Sequence, residues 1–178
     1  MPAWHNLGIV FPADIDILPS QAVEQVAGDL VFEAAPLFWR SPDSTEHKST
    51  SKIILRKPTA EDPTYKELGI TSENWNCQSY QTLARSLDKI DRTVFKLETC
   101  GVLSGGELLF LALRGEDWSV LGRDDMRTYF LVNLSQIPGT GHRCLHVTVR
   151  AVCDNTNIMA IGSSRIDLRI PHSADAAQ

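Results

Sequence analysis

The sequence predicts an α+β fold: an antiparallel β-meander packed against one main helix, preceded by a β-rich N-terminal extension. Three observations carry that expectation. Tyr80, Leu83, Ala84, Leu87 and Ile90 recur at helical spacing within residues 78–90. From Val94 onward the apolar period changes to two, the period of a strand. Between two such runs stands Ser104-Gly105-Gly106, which has the chemistry of a hairpin turn.

The elements follow in order. Residues 1–18 read as irregular, punctuated by Pro2, Gly8 and Pro12. A short helix fits residues 20–27, with Pro19 where the helix begins and Gly28 just past its end. Residues 30–39 read as a strand bent at Pro36, residues 41–50 as a polar loop, and 52–57 as a short strand. After a second loop, residues 65–71 are strand-like. Strands are predicted at 94–103 and 107–113. A polar loop with Gly115, Gly122, Asp124 and Asp125 leads to a strand at 127–134. The Pro138-Gly139-Thr140-Gly141 turn feeds a strand at 142–153. A bend at 154–157, a helical turn at 158–161 and a last strand at 165–170 complete one domain over residues 1–170. Residues 171–178 read as a disordered tail.

Length and composition bound the function. With 178 residues, 43% apolar and 22% charged, the chain has enough apolar surface to fold without metals or disulfides. A net charge of −5 excludes a uniformly basic nucleic-acid-binding surface, so any such site has to be a local patch. Cys77, Cys100, Cys144 and Cys153 contain no C-x-x-C pair. The longest apolar run, Leu108–Leu113, falls far short of the ~20 residues that cross a bilayer. The expectation is a cytoplasmic protein with no membrane partner and no cofactor.

The predicted strand 142–153 is the most informative segment. Its odd positions Leu145, Val147, Val149, Ala151 and Cys153 are apolar. Its even positions are His142, Cys144, His146, Thr148 and Arg150. Alternation puts the first set in the core and the second on a polar, cationic face, read either as a binding surface or as a solvated exterior. His142-x-Cys144-x-His146 could present zinc ligands from one side of a strand, but no second ligand cluster accompanies it, so no metal is expected.

Charge is uneven. Residues 10–47 carry seven acids against Arg40 alone. Residues 48–57 carry Lys48, Lys52, Arg56 and Lys57 with no acid, and residues 143–170 carry Arg143, Arg150, Arg165 and Arg169 against Asp154 and Asp167. Two basic strand segments on one sheet would form a groove that tracks a phosphate backbone. No P-loop, G-x-S-x-G or G-x-G-x-x-G is present, and Cys100 has no basic neighbour to make a thiolate, so no enzyme activity is expected.

Several segments together resemble a family found in phages, prophages and plasmids, the domain of unknown function 932. They are Pro2-Ala3-Trp4-His5-Asn6-Leu7-Gly8, the helix and strand over 22–38, the segment 69–90, the hairpin around Ser104-Gly105-Gly106, and Thr148–Asn157, in which Arg150, Cys153, Asn155 and Thr156 match motif positions. The chain ends soon after Arg169-Ile170-Pro171-His172, where larger members continue, which makes it a short member or a truncated chain. The resemblance implies a role in mobile-element DNA metabolism. A helix followed by an antiparallel sheet also resembles the core of single-strand annealing recombinases.

Two functions follow as expectations. The first is non-enzymatic binding or annealing of single-stranded DNA in recombination or replication. Its contacts would be Lys52, Arg56, Lys57, Arg143, His146, Arg150, Arg165 and Arg169, with Trp4, Trp39 or Trp75 stacking on bases. The second is a protein-interaction module of a phage or plasmid acting on a host defence or replication protein. Homo-oligomer formation is compatible with both. A metal-dependent hydrolase using Asp124, Asp125 or His142 and His146 is a weaker third option.

Overall fold

The computed structural model describes residues 7–120, 124–150 and 166–170. The predicted bend at 154–157, the helical turn at 158–161 and the tail at 171–178 lie outside the described residues, as do Trp4 and Arg165. In chain order the elements are β1 (Ile9–Val10), α1 (Pro19–Ala27), β2 (Phe32–Arg40), β3 (Glu46–Arg56), β4 (Lys66–Ser72), α2 (Tyr80–Leu87), β5 (Lys96–Leu103), β6 (Leu108–Val120), β7 (Asp124–Ser135), β8 (His142–Arg150) and β9 (Ile166–Ile170). All strand pairs are antiparallel. They form a six-stranded sheet in the order β1-β5-β6-β7-β8-β9 and a three-stranded sheet in the order β2-β3-β4. Among the described residues the fold is α+β, mostly antiparallel sheet with two helices.

The main helix expected at 78–90 packs beside the short helix expected at 20–27. Ala22, Val23 and Ala27 of α1 join Tyr80, Leu83 and Ala84 of α2 in the core that covers one face of the large sheet, through Leu109, Leu111, Leu113, Val132 and Leu134. Ser79 caps α2 by accepting from the Thr82 amide at 3.1 Å. The Asp88 carboxylate at its other end accepts from the Ser20 amide at 2.9 Å and hydroxyl at 2.6 Å, tying α2 to the start of α1. Helix α2 stops at Leu87, short of Ile90, because the backbone tightens there: the Ile90 amide donates to the Leu87 carbonyl at 3.0 Å.

Two predicted loops are strands. Residues 46–50 begin β3, and the turn shrinks to Ser41–Thr45, where the Ser41 amide donates to the Thr45 carbonyl at 3.0 Å. Likewise β6 and β7 run on as a ribbon from Asp117 opposite Arg127 to Val120 opposite Asp124. Gly115 lies in the register shift between Arg114 and Asp117, so it marks a bulge and not a loop. In both places the polar composition misleads for the same reason. The residues pair their backbones where there is little core to bury, so apolar alternation is missing.

The turn joining β5 to β6 needs its glycines. Gly105 has φ +66° and Gly106 φ +103°, where a Cβ is strained. A Cβ on Gly106 would also stand 3.1 Å from Arg56 Cδ and from Leu30. The buried Tyr80 hydroxyl donates to the Gly106 carbonyl at 2.9 Å and fixes this turn against α2.

A second buried cluster occupies the opposite face of the large sheet: Phe110, Ala112, Tyr129, Leu131, Leu145 and Val147. The sheet is therefore packed on both faces through its middle, and this overturns the expectation of one free face. On the even side of β8, His142 is only 3% exposed and Cys144 packs against the helix-side core. Among the described residues, no helix is long and apolar enough to cross a membrane.

Candidate nucleic-acid interface

The two basic segments do not share a sheet. Lys52, Arg56 and Lys57 belong to or follow β3 in the small sheet, whereas Arg143, His146, Arg150 and Arg169 belong to the large one. The sequence leaves open whether the two segments share one sheet; backbone pairing puts them in two. Proximity in sequence pattern does not decide which sheet a strand joins; backbone pairing does.

On and just after β3, the three predicted contacts Lys52, Arg56 and Lys57 are already engaged. Lys52 Nζ donates to the Glu73 carbonyl at 2.7 Å. Arg56 is 4% exposed and pairs with Asp62. Lys57 pairs with Glu33 at 2.9 Å, and that partner holds the lysine's pKa above its ordinary value. Asp62 is held below the usual carboxylate range, first by hydrogen bonds from the Thr64 hydroxyl and amide, then by Arg56. These pairs serve the fold before any ligand.

On the large sheet, Arg143 of β8 sits directly opposite Arg169 of edge strand β9 and opposite Asn133 of β7. Two predicted contacts are thus brought together at one end of the sheet. His146 projects to the other face, three residues along a strand without a bulge, with its ring edge-on to Phe130 at 6.1 Å. Arg150 is in backbone register with Met126. Its side chain and all of Arg165 lie outside what is described. The His142 ring accepts from the Ser135 amide at 3.3 Å through Nδ1. Among the described residues, no three His, Cys, Asp or Glu side chains converge on a position that could hold a metal ion.

The outer end of the small sheet offers a different surface. β4 pairs with β3 only from Ser51 onward, so residues 38–48 form a two-stranded ribbon with every residue but Ser41 exposed. Trp39 stacks on His47, its cross-strand partner, with ring centroids 4.5 Å apart and planes 21° from parallel. The indole remains 54% exposed. The Ser41 hydroxyl lies 3.2 Å from His47 Nε2 and holds the imidazole in place. On the other face of the ribbon Phe38 stands opposite Lys48, and beyond them Arg40 pairs with Glu46 at 3.6 Å. Pro36, near the register shift, is tolerated because β2 is an edge strand. Of the three tryptophans weighed as stacking groups, Trp39 is the exposed one among the described residues; Trp75 is half-buried. Sequence reasoning passes over Phe38 and counts Lys48 in the basic segment 48–57 without making it a contact. The signal was present as Phe38-Trp39-Arg40 facing Glu46-His47-Lys48 across a short polar turn.

Comparison with known proteins gives one family. No curated protein matches the chain. No solved structure matches it either. The model of the domain of unknown function DUF932 matches residues 67–178, more than half of the chain. That span starts within β4 and takes in α2 and β5 to β9; the opening Trp-His motif, α1 and the Trp39 ribbon precede it. With the helix–meander unit inside the matched span, the chain belongs to the DUF932 family.

Proposed function

We propose that this protein binds single-stranded DNA without catalysing a reaction on it, in the recombination or replication of phages and plasmids. The observation that carries the reading is the Trp39–His47 stack: an exposed indole, already oriented by a second ring, on a ribbon with almost every side chain in solvent. Every base has a π face, so such a platform takes bases without regard to sequence. Lys48, one register position away on the ribbon's other face, supplies charge for the phosphates. The Arg143–Arg169 pair adds a second cationic point on the large sheet. The mobile-element setting rests on the sequence resemblance.

The test is fluorescence anisotropy with a labelled oligodeoxythymidine. A saturable rise at low salt that weakens as salt is added supports the reading, because phosphate contacts release counterions. A flat trace with micromolar protein at low salt refutes it.

A further inference from the structure

The six-stranded sheet ends on β1 at one edge and on β9 at the other. Edge strands present unpaired backbone groups, and folded proteins blunt them with very short strands, proline or bulges. The other edges carry such devices. β1 has two residues and is followed by Pro12. In the small sheet, β2 carries Pro36 beside a register shift, and β4 pairs with β3 through a register shift. The last strand carries neither: Ile166-Asp167-Leu168-Arg169-Ile170 holds no proline and pairs with β8 in unbroken register. No strand among the described residues pairs with its outer side.

Leu168 stands opposite Cys144 and Ile170 opposite His142, and side chains paired in this way share a face. That is the face covered by the helix pair, since Cys144 packs against its core. Yet Leu168 is 56% exposed and Ile170 43%, so the cover stops short of β9. Charge selects what completes it. Antiparallel pairing of β9 with the β9 of a second copy has a two-fold axis, and the residue on the axis sets the register. Centred on Leu168, the pairing puts Asp167 opposite Arg169 of the second copy, Arg169 opposite its Asp167, and Ile166 opposite Ile170. Centred on Asp167 or Arg169, it puts like charges opposite each other across the axis, which is unfavourable. Arg169 already stands opposite Arg143 of β8, so a carboxylate in register on its outer side balances a cationic pair.

We propose that β9 is a self-complementary interface: a second copy of this chain adds its own β9 in antiparallel register about Leu168, and the two six-stranded sheets run on as one. The exposed Leu168 and Ile170 of both copies then form one apolar strip along the seam. The seam has five residues a side, against the roughly 20–30 of a standard interface, so the dimer is weak and concentration-dependent. The inference does not depend on the Trp39 ribbon, and mass measured without DNA tests it separately.

The test is sedimentation equilibrium of the full chain without DNA, from low micromolar to near-millimolar. The mass should rise from 19.8 kDa toward twice that and stop there. Arg169→Asp and Asp167→Arg should each keep a dispersed amide spectrum and weaken self-association at least about fourfold, because two attractive pairs become repulsive. Mixed one to one, the two variants put opposite charges at both pairs again, so the mixture should recover the parent's association. Leu168→Lys sets two cations against each other on the axis and should weaken association by a similar factor. A one-chain mass throughout, growth beyond two copies, any of the three variants associating like the parent, or a mixture no stronger than its components would each overturn the assignment.

Discussion

Replacing Trp39 with alanine is the sharpest probe of the DNA reading. The indole is 54% exposed and stacks on His47, remote in sequence and register from both buried clusters. Its removal therefore costs the fold little, on the scale of about 0.5 kcal/mol typical of surface sites. Stacking on one base is worth about 1–3 kcal/mol, and about 1.4 kcal/mol is tenfold in affinity. The expected loss is thus roughly 5- to 150-fold in Kd for oligodeoxythymidine, measured by anisotropy. Trp39 has no charge, so the slope of log Kd against log salt should stay unchanged. Lys48→Gln makes the complementary change: a slope smaller by about 0.7, the value for one phosphate contact on a single strand. If Trp39→Ala binds within about twofold of the parent, the stacking argument is wrong. If it flattens the salt slope as well, the ribbon has lost its geometry and the indole is not a local contact.

Three further outcomes follow from the fold. In Gly101→Ala the new Cβ would stand 2.6 Å from the Leu7 carbonyl oxygen and 2.7 Å from the Phe110 ring, so thermal unfolding should show a loss of about 1–3 kcal/mol; an unchanged midpoint would mean β1 is not seated on β5. Burial pushes the thiols of Cys77 and Cys144 up to about 11 and that of Cys100 to about 12, so thiol titration with Ellman's reagent at pH 8 should be slow for all three when native and fast in urea. Asp62 and Asp91 are held below their ordinary 3.8, chiefly by hydrogen bonds from Thr64 and Thr93. A depressed folded pKa contributes stability that is present above the unfolded value and lost as pH falls through the folded one. The urea midpoint should therefore hold above that value and drop below it, and the drop should shrink in Asp62→Asn.

Much of the architecture was legible in the chain. The helical stripe of Tyr80, Leu83 and Ala84 and the period-two runs on either side of Ser104-Gly105-Gly106 are what the structure buries and turns. Those signals are local: each depends on which face of one element is apolar. The strand segments 46–50, 114–120 and 124–126 are not legible in the sequence, because strands with little core behind them carry no apolar alternation. His142 and Cys144 give a polar signal that suggests exposure, while burial on the helix side of β8 covers them.

The candidate sites divide along the same line. The uneven charge and the aromatic pair Phe38-Trp39 are properties of the sequence alone. Which cations remain available is not: Arg56 goes to Asp62, Lys57 to Glu33 and Lys52 to a backbone carbonyl, all by contacts that folding creates. The sequence by itself determined the α+β class, the hairpin and the local patches of charge, because periodicity and turn chemistry act over a few residues. Tertiary structure alone decided that the basic strands join two sheets, that Trp39 is left in solvent on His47, and that Arg56 is buried against Asp62. Those are relations between distant segments, set by backbone pairing and shared burial.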